Sequence, residues 1–239
     1  MRRWWFSIHK WVGLIIGLQI LAWMVSGFFM TVVPIEQVRS EHNIRKAPTL
    51  DLRSVGAVPA LQNALAAIQG PITRLELGEF LGAPVWRVDV DGKAGALIDA
   101  HNSKMLSPLR EVDARRVASA DFAGHGRIVL AQLIAADAPI EYRGALPVWQ
   151  VIFDDEDDTH IYVLPTSGKV VARRSQTWRI YDFLWSLHIM DYQTRDNFNN
   201  WLVILASLTG FALTATGFVI LGYRLIPMLR RRRDVGGSA

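Results

Sequence analysis

The stretch APVWRVDVDGKAGALIDAHNSKML, residues 83–106, returns as LPVWQVIFDDEDDTHIYVLPTSGKVV, residues 146–171. Both open on Pro-Val-Trp-x-Val and then alternate apolar and polar residues, as half-buried strands do. Both pass through an acidic turn into a second strand and end on a Ser-containing turn followed by Lys. Pro84 aligns with Pro147 and Lys104 with Lys169, so the second copy is two residues longer, and the hairpin tip DDEDD (154–158) takes up the excess. A helix precedes each copy. PALQNALAAIQG (59–70) has Pro59 where a helix start tolerates the missing N–H and Gly70 where a helix ends. In the second copy Asp113 is the expected cap of ARRVASADFAG, which stops near Gly124, and IVLAQLIAAD (128–137) is expected to form a second short helix. ITRLELGEF (72–80) and PIEYRG (139–144) read as further strands. Each unit is therefore a helix followed by an antiparallel meander. The pair is an α+β tandem duplication, with repeat 1 over about 54–108 and repeat 2 over about 112–174.

Outward from the repeats, charge disappears. No charged residue lies between Lys10 and Glu36, nor between Asp196 and Arg224. Each gap holds a core of about 20 apolar residues, the length that crosses roughly 30 Å of hydrocarbon. The fold class is an α+β membrane protein with two transmembrane helices, 11–34 and 197–223, flanking an extracytoplasmic domain over 35–177. Residues 178–196 form an amphipathic interfacial helix and turn, with residues 1–10 and the basic tail 224–239 at the two ends. The first run ends in FFMTVVPIEQV without a small-residue cleavage site, so an uncleaved anchor is expected rather than a signal peptide.

Eight basic residues and one acid lie outside residues 34–196, whereas that segment holds 18 basic and 21 acidic residues. The positive-inside rule then puts both termini in the cytoplasm and the central domain in the periplasm of a bacterial inner membrane. The net charge of +4 is a topology signal and does not indicate nucleic-acid binding. The run RRRRD is an expected anchor on anionic lipid. There is no cysteine, which excludes disulfides, thiolate chemistry, Cys-held iron–sulfur clusters and covalent c-type haem. With no G-x-G-x-x-G after a strand and no P-loop, no nucleotide cofactor is expected on this chain.

HKWVGLIIGL (9–18) opens the first span. WRIYDFLWSLHIMDY (178–192) precedes the second, which contains SLTGFALTATGF. With the repeats between them, these segments resemble the PepSY-associated transmembrane family over about residues 9–222. There a His-basic-Trp-x-Gly-x-x-x-Gly segment opens the first span, PepSY-like units follow, and a Leu-His pair precedes the next span. Larger members are similar to inner-membrane reductases that carry b-type haem and reduce ferric siderophores. PepSY units also occur in protease propeptides, which need no cofactor. The resemblance therefore leaves two functions open: haem b-linked electron transfer in iron or siderophore reduction, or an accessory or assembly subunit whose periplasmic domain binds another protein. Whether the chain is an enzyme stays undecided.

The resemblance implies His9 and His188 as the cofactor-binding residues, acting as haem iron ligands. Gly13 and Gly17, at i+4 and i+8 from His9, share its helix face and would clear space for a porphyrin. The competing reading of these two glycines is a helix-packing face. His188 has Leu184 and Trp185 one turn back and Asp191 at i+3, a carboxylate placed to orient a ligating imidazole. The competing reading is an interfacial aromatic belt. A bilayer core separates His9 from His188, so one haem does not bridge them. A bis-histidine site would need a homodimer or a larger membrane complex, which the small-residue stripes Gly13/Gly17 and Gly210/Gly217 also suggest. His42, His101, His125 and His160 are expected in surface or packing roles, DDEDD in a solvated hairpin tip, and Trp86 and Trp149 in the two cores.

Overall fold

The computed structural model describes residues 2–46 and 61–236. The chain divides into two compact units, one of Met1–Val33 with Tyr181–Ala239, the other Pro34–Ile180.

The first unit holds two long helices, α1 (Arg2–Val32) and α6 (Trp201–Gly236). Within them Lys10–Val32 and Trp201–Tyr223 are each 23 residues of mean hydropathy 2.0. Leu14, Leu18 and Phe28 on α1, and Leu208, Phe211 and Phe218 on α6, all lie exposed. A helix that is apolar on every side and still exposed requires an apolar solvent. These are membrane-spanning helices, and their outward side chains meet lipid. α1 stops because Pro34 disfavours helical geometry at the residue before it. The two helices touch where a Cβ on Gly210 would lie 3.6 Å from Ile16 Cγ2, whereas a Cβ on Gly13, Gly17 or Gly217 would meet nothing within 4 Å. Of the expected small-residue stripes, only Gly210 faces the other helix of this chain.

The second unit contains two antiparallel sheets. β1 (Ile72–Phe80), β2 (Ala83–Val90) and β3 (Lys93–Asp99) follow the short helix α3 (Leu61–Ala66) and pair in the order β1-β2-β3. Helix α4 (Glu111–Asp121) precedes β4 (Ile128–Ile134), β5 (Val148–Phe153), β6 (His160–Val163) and β7 (Val170–Arg174), which pair in the order β4-β5-β6-β7. The two Pro-Val-Trp segments supply β2 and β5, each flanked by strands on both sides. Leu61 and Leu65 of α3 pack on Val88, Ala96 and Ile98 of the first sheet. One larger core joins the repeats: Val85 and Leu97 from the first sheet meet Val117 and Phe122 from the α4 region and Val151 and Ile161 from the second. The tryptophans belong to these cores. Trp86 packs beside Val88, and the Trp149 indole N–H donates to the Leu109 carbonyl at 2.9 Å. Two further short elements, α2 (Ile35–Val38) and a 3-10 turn Glu41–Asn43, lead into this unit.

Three local expectations are corrected. Residues 128–137 do not form a helix; their first seven residues are β4, paired with β5 from Ile128↔Phe153 to Ile134↔Val148. A short apolar run fits either period, and here β5 supplies the ladder partners. PIEYRG is not a strand but an irregular segment with one turn at Ile140–Glu141. α4 is not capped by Asp113: it begins at Glu111 with Arg110 as cap, and the Asp113 carboxylate lies in the first turn, 3.4 Å from Arg110 Nε. The helix start expected at Pro59, with the opening of repeat 1, lies outside the described residues.

Candidate functional site

The His188 site forms around the C-terminal turn of α5 (Gln176–Ile189). The last carbonyls of a helix lack internal partners, and in hydrocarbon each unsatisfied one is costly. Side chains from α1 and from the start of α6 meet three of them. Gln19 Nε2 donates to the Leu187 carbonyl at 3.3 Å, Trp23 Nε1 to the His188 carbonyl at 2.8 Å, and Asn200 Nδ2 to the Ile189 carbonyl at 2.8 Å. Asn200 also accepts from the Val203 N–H at 3.0 Å and so caps α6. α5 ends as Met190 enters the left-handed region, φ 55°.

These contacts hold the His188 imidazole against α1. Its Nδ1 lies 2.9 Å from Oγ of Ser26, a residue that is 0% exposed. The Ser26 hydroxyl donates to the Ala22 carbonyl at 2.7 Å. It therefore accepts from His188, which assigns the proton to Nδ1 and leaves the lone pair on Nε2. Among the described residues Nε2 has no hydrogen-bond partner. The ring stacks on Trp185 with centroids 6.4 Å apart. A Cβ added to Gly27 would lie in ordinary contact with His188 Cε1, at 3.8 Å, so this glycine borders the ring.

Asp191 does not orient His188, contrary to its i+3 spacing. Its carboxylate is spent within the following loop, accepting from the Thr194 hydroxyl and from the backbone N–H groups of Gln193, Thr194, Asp196 and Asn197. The Thr194 and Asn197 bonds pull its pKa well below the usual carboxylate range. Ser26, 162 positions away in sequence, performs the orienting role. Six residues before His188 on α5, the buried Asp182 accepts from Arg195 Nη1 at 2.9 Å.

His9, Gly13 and Gly17 lie toward the other end of α1. His9 precedes Ser26 by 17 residues, about 26 Å along a continuous helix at 1.5 Å per residue. The two family-implied histidines are thus at separate levels of the span, and open space surrounds the Gly13 and Gly17 positions.

The central unit holds a polar constellation that the sequence reading did not single out. Cross-strand register places Gln132 opposite Gln150, and Gln150 opposite Tyr162. Gln132 Nε2 donates to Gln150 Oε1 at 2.7 Å, Gln150 Nε2 to the Tyr162 hydroxyl at 2.8 Å, and that hydroxyl to Glu141 Oε1 at 2.6 Å. Glu141, 8% exposed, also takes His160 Nδ1 at 2.5 Å and Arg179 Nε at 2.8 Å. Burial pushes its pKa up, but the hydrogen bonds from His160, Tyr162 and Arg179 together outweigh burial and lower it to about 2. Burial, reinforced by Glu141, pushes the Tyr162 phenol far above its ordinary value. His160 is therefore a partner in a packed polar network. At the DDEDD hairpin Asp155 holds the Thr159 N–H and hydroxyl at 2.7 Å each and Asp158 pairs with Arg179 at 3.0 Å, while Glu156 lies exposed at the tip.

No curated protein and no solved structure gives a significant match to this chain. The PepSY-associated TM region family matches residues 1–232, nearly the full length and both spans. The chain belongs to the PepSY-associated transmembrane family.

Proposed function

We propose that this membrane-anchored PepSY protein takes part in haem b-linked electron transfer, in which His188 would hold the haem iron through Nε2. The observation that carries this reading is the Ser26 hydrogen bond to Nδ1, which fixes the tautomer in which Nε2 is the ligating nitrogen. The donor set fits the group: a neutral, oriented imidazole, a small residue, Gly27, beside it, and Trp185 alongside. When bound, haem b supplies a one-electron iron couple whose potential depends on ligand hydrogen bonding and burial. The protein's part is to hold the ring by Ser26, Trp23 and Gln19 and to exclude water with the apolar spans. His9, with Gly13 and Gly17 beside it, is the second proposed position at the opposite level of the membrane. Bis-histidine ligation at either level needs a second copy or a partner subunit. Both termini are cytoplasmic and the PepSY unit periplasmic in this reading, the setting for iron or siderophore reduction.

A second reading has its own support. The same contacts cap the end of α5, which suits an accessory or assembly subunit whose PepSY unit binds another protein. Visible spectra of oxidised and dithionite-reduced protein from haem-replete cells decide between them. The haem reading expects a sharp b-type α-band in stoichiometric amount, reduced in both His188→Ala and His9→Ala. A colourless wild-type protein, or unchanged haem content in both variants, selects the accessory reading.

A further inference from the structure

Within the central unit, a groove of about 680 Å³ opens between the end of β1, helix α4 and the turn before β7. Its size suits a small ligand. Phe80, Val117 and Val170 give it an apolar floor, and all three belong to or pack on the main core. The floor depends on Gly168, held at φ +66°, where a Cβ would overlap the Phe80 ring.

The walls are strongly cationic. Arg45, Lys46, Arg87, Lys169 and Arg173 line the groove against only Glu79 and Asp121. Both carboxylates are already engaged. Asp121 takes the Arg173 guanidinium in a two-pronged pair, with Nε to Oδ2 at 2.6 Å. Glu79 accepts from the Gly82 N–H at 3.1 Å. Among the described residues the other four cations have no carboxylate partner. Arg87 is the telling one: it is half-buried, its Nη2 donates to the Glu79 carbonyl, and its Nε is buried with no hydrogen-bond partner. Gly78 lets the guanidinium lie flat, since a Cβ there would overlap Nη1. A partly desolvated cation without a counter-charge is unfavourable unless an anion completes it.

We propose that this groove binds a small amphipathic carboxylate, with its anion on Arg87 and Lys169 and its apolar body on Phe80, Val117 and Val170. Arginine supplies paired donors for a carboxylate, and charge-assisted bonds of this kind are the strong ones. The site is independent of haem: it lies wholly within the PepSY unit and uses none of the residues around His188.

The test is calorimetric titration of the full chain in phosphatidylcholine nanodiscs with 4-phenylbutyrate and with its neutral amide. The acid is expected to bind at least about tenfold more tightly than the amide, the factor of one charge-assisted contact. Arg87→Gln should weaken the acid about tenfold, Lys169→Glu with Lys46→Glu comparably, and the exposed Arg110→Gln not at all. The lysines are exposed, so the double variant remains informative if Arg87→Gln does not fold. Equal binding of acid and amide, no binding of the acid at millimolar concentration, or wild-type affinity in the lysine variant each overturns the proposal. A short peptide ending in a phenylalanine carboxylate should bind no more tightly than the acid. A tenfold gain would replace the small molecule with a peptide end.

Discussion

The Glu141 and His188 clusters solve the same problem in opposite ways. Each buries polar groups far apart in sequence. Around Glu141 the solution is ionic: a carboxylate ringed by Arg179, His160 and Tyr162, at the end of a hydrogen-bond chain across the second sheet. Around His188 it is neutral: an amide, an indole, a hydroxyl and an imidazole satisfy one another and the end of a helix. Within a hydrocarbon span a formal charge is expensive, whereas a neutral donor on a waiting carbonyl is not. A domain bordered by water tolerates the charge, provided every partner is present. The price of that tolerance is a steeper penalty when one partner is lost.

The largest expected effect follows directly. Glu141→Leu leaves Arg179, His160 and the Tyr162 hydroxyl facing an apolar side chain, and urea unfolding of the full chain, followed by tryptophan fluorescence, should show a loss of about 3–5 kcal/mol. A loss below about 1 kcal/mol would remove the contrast between the clusters. Next comes acid. The folded pKa of Glu141 is about 2 and its ordinary value is 4.5. Its contribution is therefore complete above 4.5 and is lost as the pH falls from 4.5 toward 2. The urea midpoint should drop across that window in the wild type and drop less in Glu141→Gln. The smallest effect is in the membrane. Ser26→Ala should cost about 0.6–2 kcal/mol, yet release the tautomer. The nitrogen chemical shifts of His188 should change from a single Nδ1–H form to a mixture. An unchanged pattern would mean that Ser26 does not set it.

Much of this protein was legible before its tertiary structure. Two charge-free runs mark the spans because a bilayer core admits little else at that length. The Pro-Val-Trp repeat marks two antiparallel meanders, since alternation along β2 and β5 has no helical interpretation. His188 could be singled out because a family pattern points to it. The environment of His188 could not. Asp191, three residues away, was the natural partner by local spacing, but its loop consumes it, and Ser26 arrives only when α5 packs on α1. The strand at 128–134 was equally hidden: its apolar run fits either period until β5 supplies hydrogen bonds. The Gln132–Gln150–Tyr162–Glu141 chain exists only through register, in which polar residues from separate strands fall in one row. Charge-free length, alternation and charge asymmetry are sums over neighbouring residues, and the sequence by itself determined them. Which donor meets which acceptor depends on distances between segments up to 168 positions apart, and only the packing of helices and strands decided that.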